Sequence, residues 1–274
     1  MKETLTTERC VVRATHAREG RTRSLDPSTS AARQLHYGRI VLRGGGAAFH
    51  FETGGLETGL VALRGGAEVL TRGRSFTMAP YDALYVPRAS DVEVRPGADG
   101  CDLAEVAAPV EKEYPLQFVS WADVQKDPGL HFTAGGPSTS RTLNILIGKN
   151  VEAGRILAGV TFSQPGHWTS WPPHEHAKML EEAYLYIDMP APAWGIQLVY
   201  TDPATPELAV IVREGDVVLM PHGYHPNVAA PGACINFLWM MAAHREGVDR
   251  QFGVVNVQPE YAGAGSGLEK GRAR

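Results

Sequence analysis

Two histidines separated by one residue, His174 and His176, are the most chemically suggestive feature of the sequence. On a β-strand the side chains of residues i and i+2 lie on one face, so the two imidazoles are expected to converge. A pair of acids, Glu181 and Glu182, follows after a short Ala-Lys-Met-Leu segment, and His225 comes later after a Gly-Tyr turn. Three imidazoles and one carboxylate suit one divalent metal ion, with Zn²⁺ as the first choice and Mn²⁺, Fe²⁺ or Ni²⁺ as alternatives.

The carboxylate ligand has two candidates. An HxH pair, a glutamate and a later histidine after a glycine turn are typical of metal sites in cupin barrels, and the interval common in cupins selects Glu181. Strand alternation instead groups Glu182 with Tyr184 and Tyr186, on the face that would line a pocket. We favour Glu182 as the ligand, which leaves Glu181 as a neighbour of the site or as an outward charge.

Side chains around this cluster are candidates for catalysis and substrate binding. A general base must reach the substrate from the barrel wall, which makes Tyr184, Tyr186 and Glu181 the candidate catalytic residues. Long polar or aromatic side chains nearby could hold a substrate, and the candidates are Lys178, Arg213, Gln197 and Trp171, with Arg141, His167 and His222 as further possibilities. The cations among them are also compatible with ordinary solvated surface charges.

The elements that must position these residues are short strands. The 274 residues include 30 glycines and 19 prolines, which interrupt short alternating apolar runs in the manner of sandwiches and barrels. A net charge of −4 gives no attraction for nucleic acid or an anionic membrane. Three scattered cysteines indicate reduced thiols. Since no apolar run approaches the length of a membrane span, we expect a soluble cytoplasmic protein.

Recurrence along the chain indicates two related halves. The segments DALYVPRASDVEV and DVVLMPHGYHPNV share one form, an Asp, an apolar run, a Pro, a turn and an alternating strand. The predicted divisions are an irregular arm at 1–34, a first barrel at 35–118, a connector at 119–140 with a short helix around Trp121 to Lys126, a metal-binding barrel at 141–258 and a disordered tail at 259–274.

Several segments resemble the cupin family of inositol and uronate breakdown, which comprises 5-deoxyglucuronate isomerase and 4-deoxy-5-ketouronate isomerase. They are GHWTSWPPHEH, LEEAYLY, QLVYTD and GDVVLMPHGYHPNVAAPG, with ETGLVALRGGAEV, YDALYVPRASDVEV and APVEKEYP in the first half. The resemblance implies an all-β bicupin of two jelly-roll-like β-barrels, the first without metal ligands, and residues 39–105 contain no HxH. In the sister enzyme the carboxylate ligand starts an E-x-Y-x-Y strand, which matches Glu182 to Tyr186 here.

The family resemblance also implies a reaction. It is metal-dependent aldose–ketose isomerisation, an intramolecular oxidoreduction, of 5-deoxy-D-glucuronate to 5-dehydro-2-deoxy-D-gluconate in myo-inositol catabolism. A divalent metal can stabilise the oxygens of the enediolate intermediate. The short AKML loop and the Leu-Trp-Met-Met run leave an isomerase of a related deoxy-ketouronate as an alternative, beside a mononuclear metal dioxygenase and a non-enzymatic sugar-binding barrel. By analogy with bicupins, we expect a homo-oligomer that acts on a small sugar acid.

Overall fold

The computed structural model describes residues 4–265, 267 and 268, and nearly all of its regular structure is β. Its helical elements are short: α1 Thr7–Cys10, α2 Trp121–Lys126, and two 3₁₀ turns at Thr15–Ala17 and Pro259–Ala264. The helix predicted around Trp121 to Lys126 is therefore confirmed. Its N-cap is Ser120, whose side chain accepts a hydrogen bond from the Asp123 backbone N–H at 3.1 Å. No helix of the described residues is long and apolar enough to cross a membrane.

Most of the N-terminal half forms one eight-stranded antiparallel sheet, which we call the first barrel. Its strands are β2 Gly20–Leu25, β3 His36–Leu42, β4 Phe49–Glu52, β5 Leu56–Thr71, β6 Arg74–Met78, β7 Ala83–Val86, β8 Asp91–Pro109 and β9 Gln117–Val119. The long strands β5 and β8 pair through two register shifts around Arg64 and Gly65, where bulges bend the strands. Gly65 has φ +65°, and a Cβ there would lie 2.1 Å from the Gly100 carbonyl oxygen, so the bend requires glycine.

The C-terminal half forms a seven-stranded and a four-stranded sheet around one core, which we call the second barrel. The larger sheet runs, in spatial order, β1 Val11–Val12, β18 Val217–Met220, β15 Leu180–Tyr186, β20 Phe237–Ala243, β12 Ile156–Ser163, β11 Arg141–Ile147 and β10 His131–Ala134. The smaller sheet runs β13 Trp168–Thr169, β19 Asn227–Ala229, β16 Gly195–Val199 and β17 Leu208–Val212. A separate two-stranded ladder joins β14 His174–Glu175 to β21 Asn256–Val257. The predicted all-β fold class is confirmed.

The two barrels share a hydrophobic core because strand alternation divides the first barrel between two clusters. On β5, Leu60 and Ala62 pack inside the first barrel, whereas Val61 and Leu63 pack in the cluster that also contains the second barrel's core. β7 alternates in the same way, with Leu84 inside the first barrel and Tyr85 in the shared cluster. The second barrel is therefore built on a broad apolar face of the first.

The N-terminal segment differs from the irregular arm predicted for 1–34. In its described part, β1 pairs with β18 of the second barrel and β2 pairs with β3 of the first. Isolated apolar side chains hold it in place, because Leu5, Cys10 and Leu25 are buried in the shared cluster. Because most of the surrounding residues are polar, the composition of the segment did not indicate this anchoring. Residues 1–3 lie outside the described part.

The C-terminal tail predicted to be disordered at 259–274 is ordered where it is described. It forms the 3₁₀ turn at Pro259–Ala264, and the Tyr261 ring packs 5.1 Å from the ring of Trp171. The Gly267 carbonyl accepts a hydrogen bond from Arg141 Nη2 at 2.5 Å. The prediction is wrong for these residues because contacts with the second barrel replace a core of the tail's own. Residues 266 and 269–274 lie outside the described part.

Candidate metal centre

Three of the four predicted ligands meet inside the second barrel. Glu182, on β15, places Oε2 2.9 Å from Nε2 of His176 and 3.1 Å from Nε2 of His225. The ligand atoms of the three residues all lie within 4.8 Å of one another, and all three side chains are buried. Strand alternation therefore selects the right glutamate of the pair to face the cluster.

The fourth predicted ligand, His174, lies beside this cluster. Its ring centroid is 4.9 Å from that of His225 and 6.3 Å from that of His176. β14 ends at Glu175, and His176 already belongs to the following turn, so the two histidines do not alternate along one strand as the HxH spacing predicted. His174 still lines the same pocket as His176 and Glu182.

Backbone carbonyls orient the imidazoles of the centre. Nδ1 of His174, His176 and His225 lies 2.9, 3.4 and 2.9 Å from the carbonyl oxygens of Pro172, Leu180 and Gly223, respectively. A ring that donates from Nδ1 keeps its Nε2 lone pair for a metal ion. His174 and His225 can therefore offer Nε2 to a metal ion, whereas Nε2 of His176 is hydrogen-bonded to Glu182 and would have to release its proton to bind one.

Electrostatics also fit a cation at this point. Burial opposes ionisation of Glu182, but the hydrogen bond from His176 and the neighbouring His225 outweigh it and lower the pKa of Glu182 to about 2. Burial, with His225 nearby, lowers the pKa of His174 to about 3. His225 Nε2 is buried and makes no hydrogen bond with the described residues. A carboxylate, a neutral imidazole and an orphaned ring nitrogen are the donor chemistry of a divalent metal site.

Glu181 does not reach this centre. Its carboxylate accepts hydrogen bonds from the backbone N–H groups of Arg33, Gln34 and Leu35 at 2.7, 2.5 and 2.5 Å. Adjacent residues of a strand face opposite sides, so Glu181 points away from the face of β15 that carries Glu182. The structure thus places Glu181 away from the pocket, where it anchors the segment before β3, and gives no support to the predicted catalytic role.

A small pocket adjoins the cluster. Its polar lining includes Arg141, Ser170 and Tyr184, and its apolar lining includes Trp239 and Phe252. Tyr184 Oη lies 2.7 Å from Ser170 Oγ. Burial, with the Glu182 carboxylate nearby, raises the pKa of Tyr184 well above its ordinary value. Tyr184 is thus a neutral phenol that can donate a proton into the pocket, instead of the base predicted from sequence.

Tyr186 and Gln197 lie behind the pocket wall. The Tyr186 hydroxyl donates to Gln197 Oε1 at 2.6 Å, and Gln197 Nε2 donates to the His225 carbonyl at 2.9 Å. Neither residue lines the pocket. The structure therefore gives them a positioning role at the His225 turn, in place of the predicted catalytic and substrate-binding roles.

The remaining predicted substrate-binding residues are also outside the pocket lining. Lys178 and Arg213 are exposed to solvent. The Trp171 ring packs between Trp168 and Tyr261, and its backbone carbonyl accepts a hydrogen bond from Arg141 Nη2 at 3.0 Å. These substrate-binding predictions fail because spacing along the chain does not report where a loop side chain points. His167 and His222 do not line the pocket either.

Sequence reasoning missed the C-terminal wall of the pocket. Residues 251–255 and Leu268 line it, and β21 holds this segment beside β14 through the pair His174 and Val257. No periodic signal marks such a short covering segment. Trp239 could have been found, because it stands opposite Tyr184 in the ladder of β15 and β20.

Solved structures place this architecture among cupin-type barrels. An IolB-like protein from Salmonella typhimurium LT2 matches with TM-score 0.80 and 21% identity, covering 92% of this chain and 98% of that chain. Oxalate decarboxylase from Lactobacillus farciminis matches with TM-score 0.63 and 13% identity over 94% of this chain and 91% of that chain. A cupin 2 conserved barrel domain protein from Leptotrichia buccalis matches with TM-score 0.51 and 13% identity over 84% and 92%. These likenesses establish the fold.

Sequence comparison establishes the family. The pattern of the KduI/IolB family matches residues 10–257. The 5-deoxy-glucuronate isomerases of Geobacillus thermodenitrificans and Geobacillus kaustophilus are each 32% identical over 214 residues, which is 72% of this chain and 76% and 75% of theirs. That of Bacillus subtilis strain 168 is 29% identical over 63% of this chain and 64% of its own length. The chain belongs to the KduI/IolB family and is an isomerase, as the resemblance indicated.

Proposed function

We propose that this protein is a metal-dependent aldose–ketose isomerase that converts 5-deoxy-D-glucuronate to 5-dehydro-2-deoxy-D-gluconate in inositol catabolism. The observation that carries the proposal is the buried cluster of His176, Glu182 and His225 at the wall of a pocket that also holds a buried arginine and a neutral phenol. The names of the relatives support the substrate. A homo-oligomer in the cytoplasm stays a prediction from sequence.

The metal would be held by His176, Glu182 and His225, with His174 beside them, and zinc suits this donor set. When bound, the ion supplies Lewis-acid stabilisation to the oxygens on the two reacting carbons. Glu182 is ionised, and Nε2 of His176 and of His225 lie 2.9 and 3.1 Å from its carboxylate, so these three ligands need little reorganisation.

Arg141 is the group best suited to the substrate carboxylate. Its side chain is 3% exposed, lines the pocket and donates to the carbonyl oxygens of Trp171 and Gly267 at 3.0 and 2.5 Å. A guanidinium and a carboxylate form charge-assisted, often bidentate hydrogen bonds, so Arg141 has the chemistry to bind the carboxylate of a uronate.

Tyr184 and the covering segment complete the site. Tyr184 stays protonated and lies beside Ser170, so it can deliver a proton to a substrate oxygen and recover one through the serine hydroxyl. Phe252, Val254 and Leu268 cover the pocket with apolar side chains, which limits the access of water to a reactive enediolate.

Incubation of the zinc-loaded protein with 5-deoxy-glucuronate, followed by NMR, tests the proposal. The aldehyde resonance should disappear and a ketose should form at the same rate with and without oxygen. Absence of conversion would contradict the proposal, and conversion that consumes oxygen would identify a dioxygenase instead.

A further inference from the structure

Trp239 carries a polar group whose partner the described chain does not provide. The side chain is 3% exposed, and its Nε1–H makes no hydrogen bond with the described residues. A buried donor without an acceptor destabilises the folded state, because the group loses its hydrogen bonds to water. Phenylalanine would fill a purely apolar position without that cost. The indole N–H is therefore expected to bind an acceptor outside the described residues.

Trp239 lies in the wall of the candidate active site. In the ladders of β20, Trp239 stands opposite Tyr184 on one side and Gly159 on the other. Directly opposite residues of a ladder point to the same face, and Tyr184 faces the pocket. Trp239 also lines that pocket. Its pair with Tyr184 lies two residues along the strands from the pair of Glu182 with Met241.

Neighbouring residues are arranged to accept an indole at this position. A Cβ on Gly159 would lie 2.2 Å from Cζ2 of Trp239, so any larger residue there would displace the ring. On the other side the Phe252 ring stacks on the indole with centroids 5.0 Å apart and an angle of 21° between planes. The ring is thus held on one side by β12 and on the other by the segment that covers the pocket.

We propose that the Trp239 indole N–H donates a hydrogen bond to an oxygen of the bound sugar acid, and that Trp239 is a substrate-binding residue of the proposed isomerase. The proposal rests on the proposed function for the nature of the ligand. An oxygen-rich substrate supplies an acceptor that the described residues do not provide, and the donor rejects analogues without an oxygen at that point. Trp239 and Tyr184 then contact the substrate between the metal ligands and Arg141.

Replacement Trp239→Phe tests the proposal, because it keeps a ring beside Phe252 and removes only the donor and part of the indole. The matched control is Trp194→Phe, since Trp194 is exposed and outside the pocket. Both variants should bind as much zinc as the wild type. Trp239→Phe should lose about tenfold in kcat/KM and bind D-glucuronate about tenfold more weakly by calorimetry, the effect of one hydrogen bond.

A second substitution separates the donor from the shape of the ring. Benzothienylalanine at position 239 has the size of tryptophan but no N–H, so it should reproduce the tenfold loss even if the smaller phenylalanine disturbs the fold. Unchanged kcat/KM and unchanged D-glucuronate affinity with benzothienylalanine would overturn the proposal, as would a wild type that binds no D-glucuronate.

Wild-type turnover decides the proposed function independently of this inference. If the wild type binds D-glucuronate but does not isomerise 5-deoxy-glucuronate, the proposed function fails. The ratio of wild-type to variant affinity for D-glucuronate then still decides the role of the indole N–H.

Discussion

The two barrels pair their strands in the same way around the candidate metal site. In the first barrel β5 lies between β7 and β8, and in the second β15 lies between β18 and β20. Thr58 on β5 pairs with Val86 and Ala107, as Glu182 on β15 pairs with Met220 and Met241. The candidate metal-binding carboxylate of the second barrel therefore corresponds to a threonine in the first. The Thr58 hydroxyl is buried and has no hydrogen-bond partner among the described residues.

The loop before this strand also differs. In the second barrel, residues 170–179 lie between β13 and β15 and include His174 and His176. In the first barrel, only residues 53–55 separate β4 from β5, and none of them is a histidine. The candidate metal centre of the second barrel thus differs from the corresponding region of the first by one loop and one strand residue, while the strand pairing is the same.

The two barrels also differ in how the polar groups of their interiors are paired. Glu105 stands opposite Gly38 in the first barrel, where Trp239 stands opposite Gly159 in the second. Arg21 binds the Glu105 carboxylate through Nε and Nη2 at 2.7 and 2.6 Å. The polar groups of the first barrel's interior are mostly satisfied within the chain, whereas the second leaves donors for a ligand.

One feature is common to both barrels. Glu57 of the first barrel accepts the backbone N–H groups of Gly154, Arg155 and Ile156 at 2.7, 2.5 and 2.8 Å. Glu181 of the second barrel does the same for residues 33–35. Glu57 thus anchors the chain at the start of β12 and Glu181 anchors it just before β3, so each carboxylate joins its own barrel to the other.

Substitution of a metal ligand should have the largest effect. His176→Ala removes an imidazole from the cluster, and we expect loss of zinc and a fall in kcat of at least about 1,000-fold, since metal stabilisation of the intermediate is worth several kcal/mol. Elemental analysis and turnover measure both. Thr58→Val, at the position of the first barrel that corresponds to Glu182, should change neither zinc content nor turnover. A loss of zinc in that variant would contradict the assignment of the metal site to the second barrel alone.

The two reciprocal carboxylates should affect stability instead of chemistry. Glu181→Gln turns an amide toward backbone donors and should lower the free energy of unfolding by about 3 kcal/mol, because hydrogen bonds to a buried charge are lost. Glu57→Gln should cost a similar amount. Denaturant unfolding measures both, and zinc content of the folded variants should be unchanged. A Glu181→Gln variant that is stable but inactive would restore the catalytic role that the structure removes.

Substitution of Tyr184, which lines the pocket, should lower turnover more than substitution of Tyr186, which lies behind the pocket wall. Tyr184→Phe removes the hydroxyl proton and should lower kcat about 100-fold, the size of a general acid effect. Tyr186→Phe loses only the hydrogen bond to Gln197 and should stay within about fivefold of the wild type. Equal losses in the two variants would place the proton donor elsewhere.

Arg141 should show the smallest effect of the four. Arg141→Met should raise KM about 30-fold by removing a charge-assisted contact to the substrate carboxylate, with kcat little changed. Arg21→Met is the matched change in the first barrel, where it should destabilise the fold and leave KM unaltered. An unchanged KM in Arg141→Met would remove Arg141 from the site.

Sequence alone predicted the all-β fold, helix α2 and which glutamate of the pair faces the histidines, because these follow from local sequence patterns. Strand alternation chose Glu182 over Glu181, and the ladder of β15 shows the physical basis of that choice. The roles of Lys178 and Arg213 failed because loop side chains obey no such period. The anchoring of Leu25 and the covering position of Leu268 depend on contacts distant in sequence, which a local pattern does not contain.

The central claim is that one metal ion in the second barrel drives isomerisation while the first barrel binds none. The most direct measurement combines metal content per chain with turnover of 5-deoxy-glucuronate before chelation, after chelation and after zinc is restored. We predict one ion per chain, with turnover lost and regained together with it. Full turnover by metal-free protein would contradict the account.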